Sequence, residues 1–210
     1  PQAVGSWWDE RSTQAFDALW RALMAGFNID PNHVFLTGFS NGGTGALLWA
    51  TLWPDRFAAV APLMGAGLPF FEANPPAVEN LGRLPMLFLH GDQDPIIPSR
   101  ASRETVKAIQ KRSPTTPVTL QVLPDRGHDL ILGRDGTRVL EFLSRQARNP
   151  FPRRVTFRTR SLDFARSFWV EILDKKNGWA EVEAQIGEDG TIEVKTRGVR
   201  RLRLLLRRRR

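Results

Sequence analysis

One stretch constrains the fold more than any other: His33-Val34-Phe35-Leu36-Thr37-Gly38-Phe39-Ser40-Asn41-Gly42-Gly43. Val34 to Thr37 is a short run of strand-forming residues that stops at a glycine. Thr44 to Ala50, small and apolar, reads as a helix. Between them a serine stands with glycines two positions before and two positions after it, the G-x-S-x-G pattern in its strand, sharp turn and helix setting. A serine on such a turn is forced toward sparsely populated backbone angles, and its neighbours Gly38 and Gly42 are expected to be the residues that cannot carry a Cβ. The turn lifts the hydroxyl clear of a sheet and aims the first N–H groups of a helix beside it, where developing negative charge is favoured.

The rest of the chain supplies a setting for that turn. Helical spacing runs from Glu10 to Phe27, with Ala15, Phe16, Leu19, Trp20, Leu23 and Met24 on one face. After the nucleophile-like helix, Phe57–Leu63, Pro85–His90 and Pro117–Leu123 are short apolar runs that read as buried strands. Amphipathic helices are expected over 99–112 and 135–147, whereas Asn74-Pro75-Pro76 cannot lie inside a helix. Strands alternating with helices imply an α/β fold, a parallel sheet covered by helices on both faces.

A serine hydroxyl is a weak nucleophile until a base removes its proton, and the base needs a carboxylate to hold its tautomer. His128 follows the fourth strand on a loop opened by Gly127, and Asp94 lies after the third strand in His90-Gly91-Asp92-Gln93-Asp94-Pro95-Ile96-Ile97-Pro98. The candidate catalytic set is therefore Ser40, Asp94 and His128, each just beyond the C-terminal end of a strand, where open α/β sheets place their sites. Asn41 is the candidate oxyanion donor through its backbone N–H. Asp92 is an alternative acid. His90 reads as a packed or hydrogen-bonded residue and His33 as a surface one.

With these residues in place the chain resembles the α/β-hydrolase superfamily, and within it the polyhydroxybutyrate depolymerase-like and feruloyl-esterase-like serine esterases often labelled predicted peptidases. Asp30–Gly43, Trp53-Pro54-Asp55-Arg56-Phe57-Ala58-Ala59-Val60-Ala61-Pro62 and Leu89–Pro95 carry the resemblance, which covers roughly residues 7–146. It implies Ser40 as nucleophile, Asp94 as acid and His128 as base. The substrate it implies is a small-molecule or polymer ester, in an extracytoplasmic setting. Family members begin with further strands and an oxyanion loop, often His-Gly-Gly-like. That segment is absent before residue 10, so the expected fold is an N-terminally incomplete α/β-hydrolase, a fragment of a longer esterase. Trp8, Phe70 and Ile97, with Trp7 and Phe71, are candidates for lining the substrate pocket; the alternative is that they belong to the core.

Charge divides the chain. Residues 1–150 carry 14 Lys+Arg and 14 Asp+Glu, and residues 151–210 carry 16 and 8, so the whole net charge of +8 resides in the C-terminal part. There the pattern changes to period two, at Val155/Phe157/Thr159, Phe168/Val170/Ile172, Val182/Ala184/Ile186 and Ile192/Val194/Thr196. Asn177-Gly178 and Asp189-Gly190 punctuate it as turns. The expected organisation is a catalytic α/β part over 1–150 and a small antiparallel β module over 151–210 that ends in an arginine-rich tail, Arg197–Arg210, whose last run, Arg207–Arg210, reads as solvated. No nucleic-acid motif accompanies that tail, so no nucleic-acid partner is expected. No metal-ligand spacing or phosphate-cradling loop is visible, no cofactor is implied, and no apolar run approaches the roughly 20 residues of a membrane span. A peptidase of the same mechanism, a catalytically incomplete fragment and a non-catalytic module that recruits polyanions are the competing readings.

Overall fold

A computed structural model describes residues 7–71, 76–130 and 132–206; Asn74, Pro75 and the Arg207–Arg210 run lie outside the described residues. The chain opens with helix α1 (Glu10–Gly26), whose N-terminus is capped by the Asp9 side chain accepting from the Ser12 N–H at 2.7 Å. Four parallel strands follow in simple sequential order: β1 (Phe35–Phe39), β2 (Ala59–Leu63), β3 (Met86–Gly91) and β4 (Val118–Leu123). Helices α2 (Asn41–Leu52), α3 (Arg100–Arg112) and α4 (Thr137–Ser144) come after β1, β3 and β4. The last is shorter than its periodicity suggests, because a π-helical turn over Leu132–Gly136 takes up its first residues.

Both faces of the sheet are covered, which is why β2 and β3 read as unbroken apolar runs rather than alternating ones. On one face Leu47, Ala50, Trp53 and Phe57 meet Val60, Met86, Phe88 and Ile109. On the other Ala59, Ala61, Leu63, Leu87 and Leu89 meet Val139 and Leu143 of α4. Helix α2 lacks a polar stripe because it is wedged in the middle, with Gly43 to Leu47 all buried. Phe16 of α1 stacks on Trp49 of α2 at 4.1 Å between ring centroids. The helix-covered parallel sheet expected from the alternating pattern is thus what the chain forms, in the layering that the resemblance to α/β-hydrolases implies. Among the described residues β1 is an edge strand.

The C-terminal residues build two three-stranded antiparallel sheets, β5 (Arg154–Thr159), β8 (Ala180–Ile186), β9 (Ile192–Arg197) in one and β10 (Val199–Leu204), β7 (Val170–Lys175), β6 (Arg166–Ser167) in the other. Their inner faces share Val155, Phe157, Trp169, Ile172, Val182 and Ala184. One expectation is corrected here. The first half of the arginine-rich segment is not a tail: β10 pairs antiparallel with β7 through Leu202↔Ile172 and Leu204↔Val170. Leu202 and Leu204 alternate with Arg201 and Arg203, so the segment has strand periodicity beneath its charge.

These sheets lean on the α/β part through polar contacts. Buried Asn80 donates to the carbonyls of Thr51 and Arg158, at 2.8 and 3.0 Å, and accepts from the Arg158 N–H at 2.8 Å. The Asp55 carboxylate accepts the Phe168 N–H at 3.1 Å.

Candidate active site

Ser40 is the N-cap of α2 and has φ 58° and ψ −120°, a conformation a non-glycine residue rarely adopts. Its N–H donates to the Leu63 carbonyl at 2.9 Å, which ties the turn to the end of β2. A Cβ on Gly38 would collide with the backbone of Gly42, and one on Gly43 would come within 2.6 Å of the Leu63 carbonyl oxygen. Gly42, by contrast, faces open space. The second position without room for a side chain is therefore Gly43 rather than the Gly42 of the motif, because α2 packs on the end of β2 through residue 43.

The loops after β3 and β4 meet above this turn. His128 Nδ1 lies 2.7 Å from Asp94 Oδ2 and Nε2 lies 2.9 Å from Ser40 Oγ. A carboxylate can only accept, so Nδ1 carries the proton and Nε2 offers its lone pair to the serine hydroxyl. Asp94 has no exposed side-chain surface. Burial pushes its carboxyl up, but hydrogen bonds from His128 and from the N–H groups of Ile97 and Ile96 outweigh this and hold it below the usual carboxylate range. Asp92, the alternative acid, is exposed and accepts the Arg126 N–H at 3.3 Å.

The histidine loop is held from several sides. The Arg126 carbonyl accepts the Gln93 N–H at 2.9 Å, and the Arg126 guanidinium bridges Asp129 and buried Asp135, at 2.8 and 3.2 Å. Gly91 fits under this loop with no room for a Cβ, which would run into the carbonyls of Arg126 and Gly127. Sequence reasoning passed over both residues. The available signals were a glycine closing β3 and an arginine two residues before His128.

A cavity of about 600 Å³ opens beside Ser40, lined by Trp7, Leu36, Phe39, Ala46 and Trp49. Four successive residues of β1, Leu36 to Phe39, line it, and among the described residues no strand pairs with the outer side of β1. Asn41 borders it too, and as the first residue of α2 its N–H has no carbonyl in a preceding turn to bond. Of the pocket candidates, Trp7 lines this cavity, with its ring edge-on to Trp49 at 5.6 Å. Trp8 and Phe70 instead pack on each other at 4.4 Å and on Phe71. Ile97 contributes its backbone to the acid loop. His33 is exposed beside Asp30. No helix among the described residues is long and apolar enough to cross a membrane.

Comparison with known proteins agrees with this architecture. NocK of Nocardia uniformis subsp. tsuyamanensis, a protein assigned as an esterase, is 44% identical over 77 residues, which is 36% of this chain and 21% of NocK. A thermostable esterase of known structure superposes with a TM-score of 0.53 at 25% identity, over 66% of this chain and 38% of that one. The Bacillus cereus carboxylesterase shares the fold at a TM-score of 0.53 and 19% identity, over 64% and 60% of the two chains. The chain therefore spans less than two thirds of each of these proteins. A family model described as phospholipase/carboxylesterase matches residues 10–145. With well over half its length inside that match, the chain belongs to the phospholipase/carboxylesterase family of α/β-hydrolases.

Proposed function

We propose that Ser40, His128 and Asp94 act as a nucleophile, base and acid that cleave carboxylic esters through an acyl-enzyme. The observation that carries this reading is the unbroken relay from Ser40 Oγ through His128 to Asp94 Oδ2, with steps of 2.9 and 2.7 Å. Ser40 Oγ attacks the acyl carbon while its proton passes to His128 Nε2. The carbonyl oxygen becomes an oxyanion that receives the Asn41 N–H, and Asp94 stabilises the imidazolium through Nδ1–H. Collapse of the tetrahedral adduct breaks the bond to the alcohol, which leaves with the proton from Nε2. Water then gives a proton to Nε2 and attacks the acyl-serine, and the carboxylic acid departs as Ser40 regains its hydrogen.

Membership of a phospholipase/carboxylesterase family supports an ester over a peptide as substrate. The aromatic lining by Trp7, Phe39 and Trp49 favours an apolar acyl or alcohol group. The narrower likeness to polyhydroxybutyrate depolymerase-like and feruloyl-esterase-like enzymes rests on the motif residues, and a panel of aryl, short-chain and polymeric esters tests it. A fluorophosphonate probe, with mass spectrometry of the peptide carrying Ser40, tests the chemistry itself. Stoichiometric labelling is expected and should vanish in Ser40→Ala and His128→Ala. An unlabelled, well-folded chain would refute the reading.

A further inference from the structure

A second histidine flanks the acid, and the proposed chemistry leaves it idle. His90, in β3, has no exposed side-chain surface, yet both ring nitrogens are engaged. Its Nε2 lies 2.7 Å from the Ile97 carbonyl oxygen. That oxygen only accepts, so Nε2 carries the proton. In the tautomer that carries Nε2–H, Nδ1 accepts from the Ser102 hydroxyl of α3, at 2.7 Å. The same Nε2 stands 3.3 Å from Asp94 Oδ2, the atom that receives His128 Nδ1–H. The other carboxylate oxygen of Asp94 takes the N–H groups of Ile96 and Ile97, at 2.9 and 2.8 Å. His90 thus donates its one Nε2–H to the Ile97 carbonyl that closes the acid turn, with Oδ2 beside the same nitrogen, and is itself fixed between β3 and α3.

We propose that His90 is a positioning residue for the acid–base pair. Its Nε2–H holds the Asp94–Ile97 turn in the one conformation that turns Oδ2 toward His128, and the Ser102 hydroxyl holds the His90 tautomer that makes this possible. A residue that only filled the core would contribute to stability and leave turnover per folded molecule unchanged. A positioning residue acts through Asp94, so its loss lowers kcat and the rate of Ser40 phosphonylation together, with KM unaltered. This inference rests on the reading of Ser40, Asp94 and His128 given above.

The test compares wild type, His90→Gln, His90→Leu and Ser102→Ala, each with Asp94 intact and with Asp94→Asn, by ester kinetics and by the rate of fluorophosphonate labelling. His90→Leu is expected to lose about 10–100-fold in kcat, the range found when an outer partner that orients a metal-ligating side chain is removed. His90→Gln, which can keep an N–H within reach of Ile97 and Oδ2, should recover most of that loss. In the Asp94→Asn background the effect of His90→Leu on labelling should disappear, since residues that act as one unit are not additive. If His90→Leu does not fold, Ser102→Ala keeps the ring and frees its tautomer, and it should lower kcat in the same direction, again only when Asp94 is present. Wild-type kcat and labelling in His90→Leu, or in Ser102→Ala should that alone be soluble, would overturn the proposal, as would an equal loss in the Asp94→Asn background. Failure of the wild type itself to label would instead overturn the parent reading, and this one with it.

Discussion

Ser40 holds a backbone conformation that suits glycine better than serine. Such strain costs of order 1–3 kcal/mol and persists only where the surroundings enforce it, here the Leu63 carbonyl and the packing of Gly43 against it. Ser40→Gly is accordingly expected to raise unfolding stability by about 1 kcal/mol while removing turnover, a trade that denaturant titration and an ester assay can measure side by side. Asp94 makes a second residue-scale prediction. Its carboxyl is held below the usual range, so the stabilisation it gives as an ion is complete above the ordinary carboxylate pKa of about 4 and is lost as pH falls through the lower folded value. Unfolding midpoints of Asp94→Asn measured from pH 5 down to pH 2 should therefore fall less steeply than those of the wild type. Some slope will remain, because Asp17, Asp30 and Asp189 are also lowered.

At the scale of elements, the acid and histidine loops behave as one piece because they close over Gly91. Gly91→Ala should push the Arg126–Gly127 backbone away from β3 and carry His128 off Asp94 and Ser40. A misplacement of about 1 Å in a catalytic group can cost on the order of 100-fold in rate, so kcat should fall by about that factor with the sheet intact by circular dichroism. Much of this architecture is legible in the sequence: apolar runs that end in glycine mark β1 and β3, and the small residues after Ser40 mark a helix packed on all sides. What escapes is whatever depends on a neighbour remote in the chain. Gly43 matters because the Leu63 carbonyl lies against it, and a motif centred on Ser40 does not reveal residue 63. His90 sits visibly at a strand end, but its partners Ser102 and Ile97 are chosen by the path of α3 and the acid turn. Strand β10 hides for a different reason, since alternating arginines mask the period of Leu202 and Leu204 until β7 supplies the pairing.

Across the whole molecule, the seam between the parallel sheet and the C-terminal sheets depends on polar groups that have little room for error. Asn80→Ala would leave the Thr51 carbonyl and both backbone groups of Arg158 without their partner, at a cost of about 2–4 kcal/mol to unfolding stability. Asp55 acts in the opposite sense. Burial pushes its carboxyl up, against the Phe168 N–H and the charges of Arg166 and Arg56. The folded chain therefore binds that proton more tightly than the unfolded one, and stability declines as pH rises from about 4 through the raised folded value. Asp55→Asn, which can still accept the Phe168 N–H, should flatten that decline and unfold at pH 7 no earlier than the wild type. The sheet order has a consequence in time as well. Ser40 follows β1 and His128 follows β4, the two outer strands of the parallel sheet among the described residues, and the two residues are 88 positions apart in the chain. Parallel pairings between remote segments form slowly, because chain entropy is lost before the contacts reward it. A pulse of fluorophosphonate during refolding would mark only chains whose sheet has closed from edge to edge, while ellipticity counts every chain whose helices have formed. The lag between the two signals would time the final assembly, with Ser40 itself as the clock.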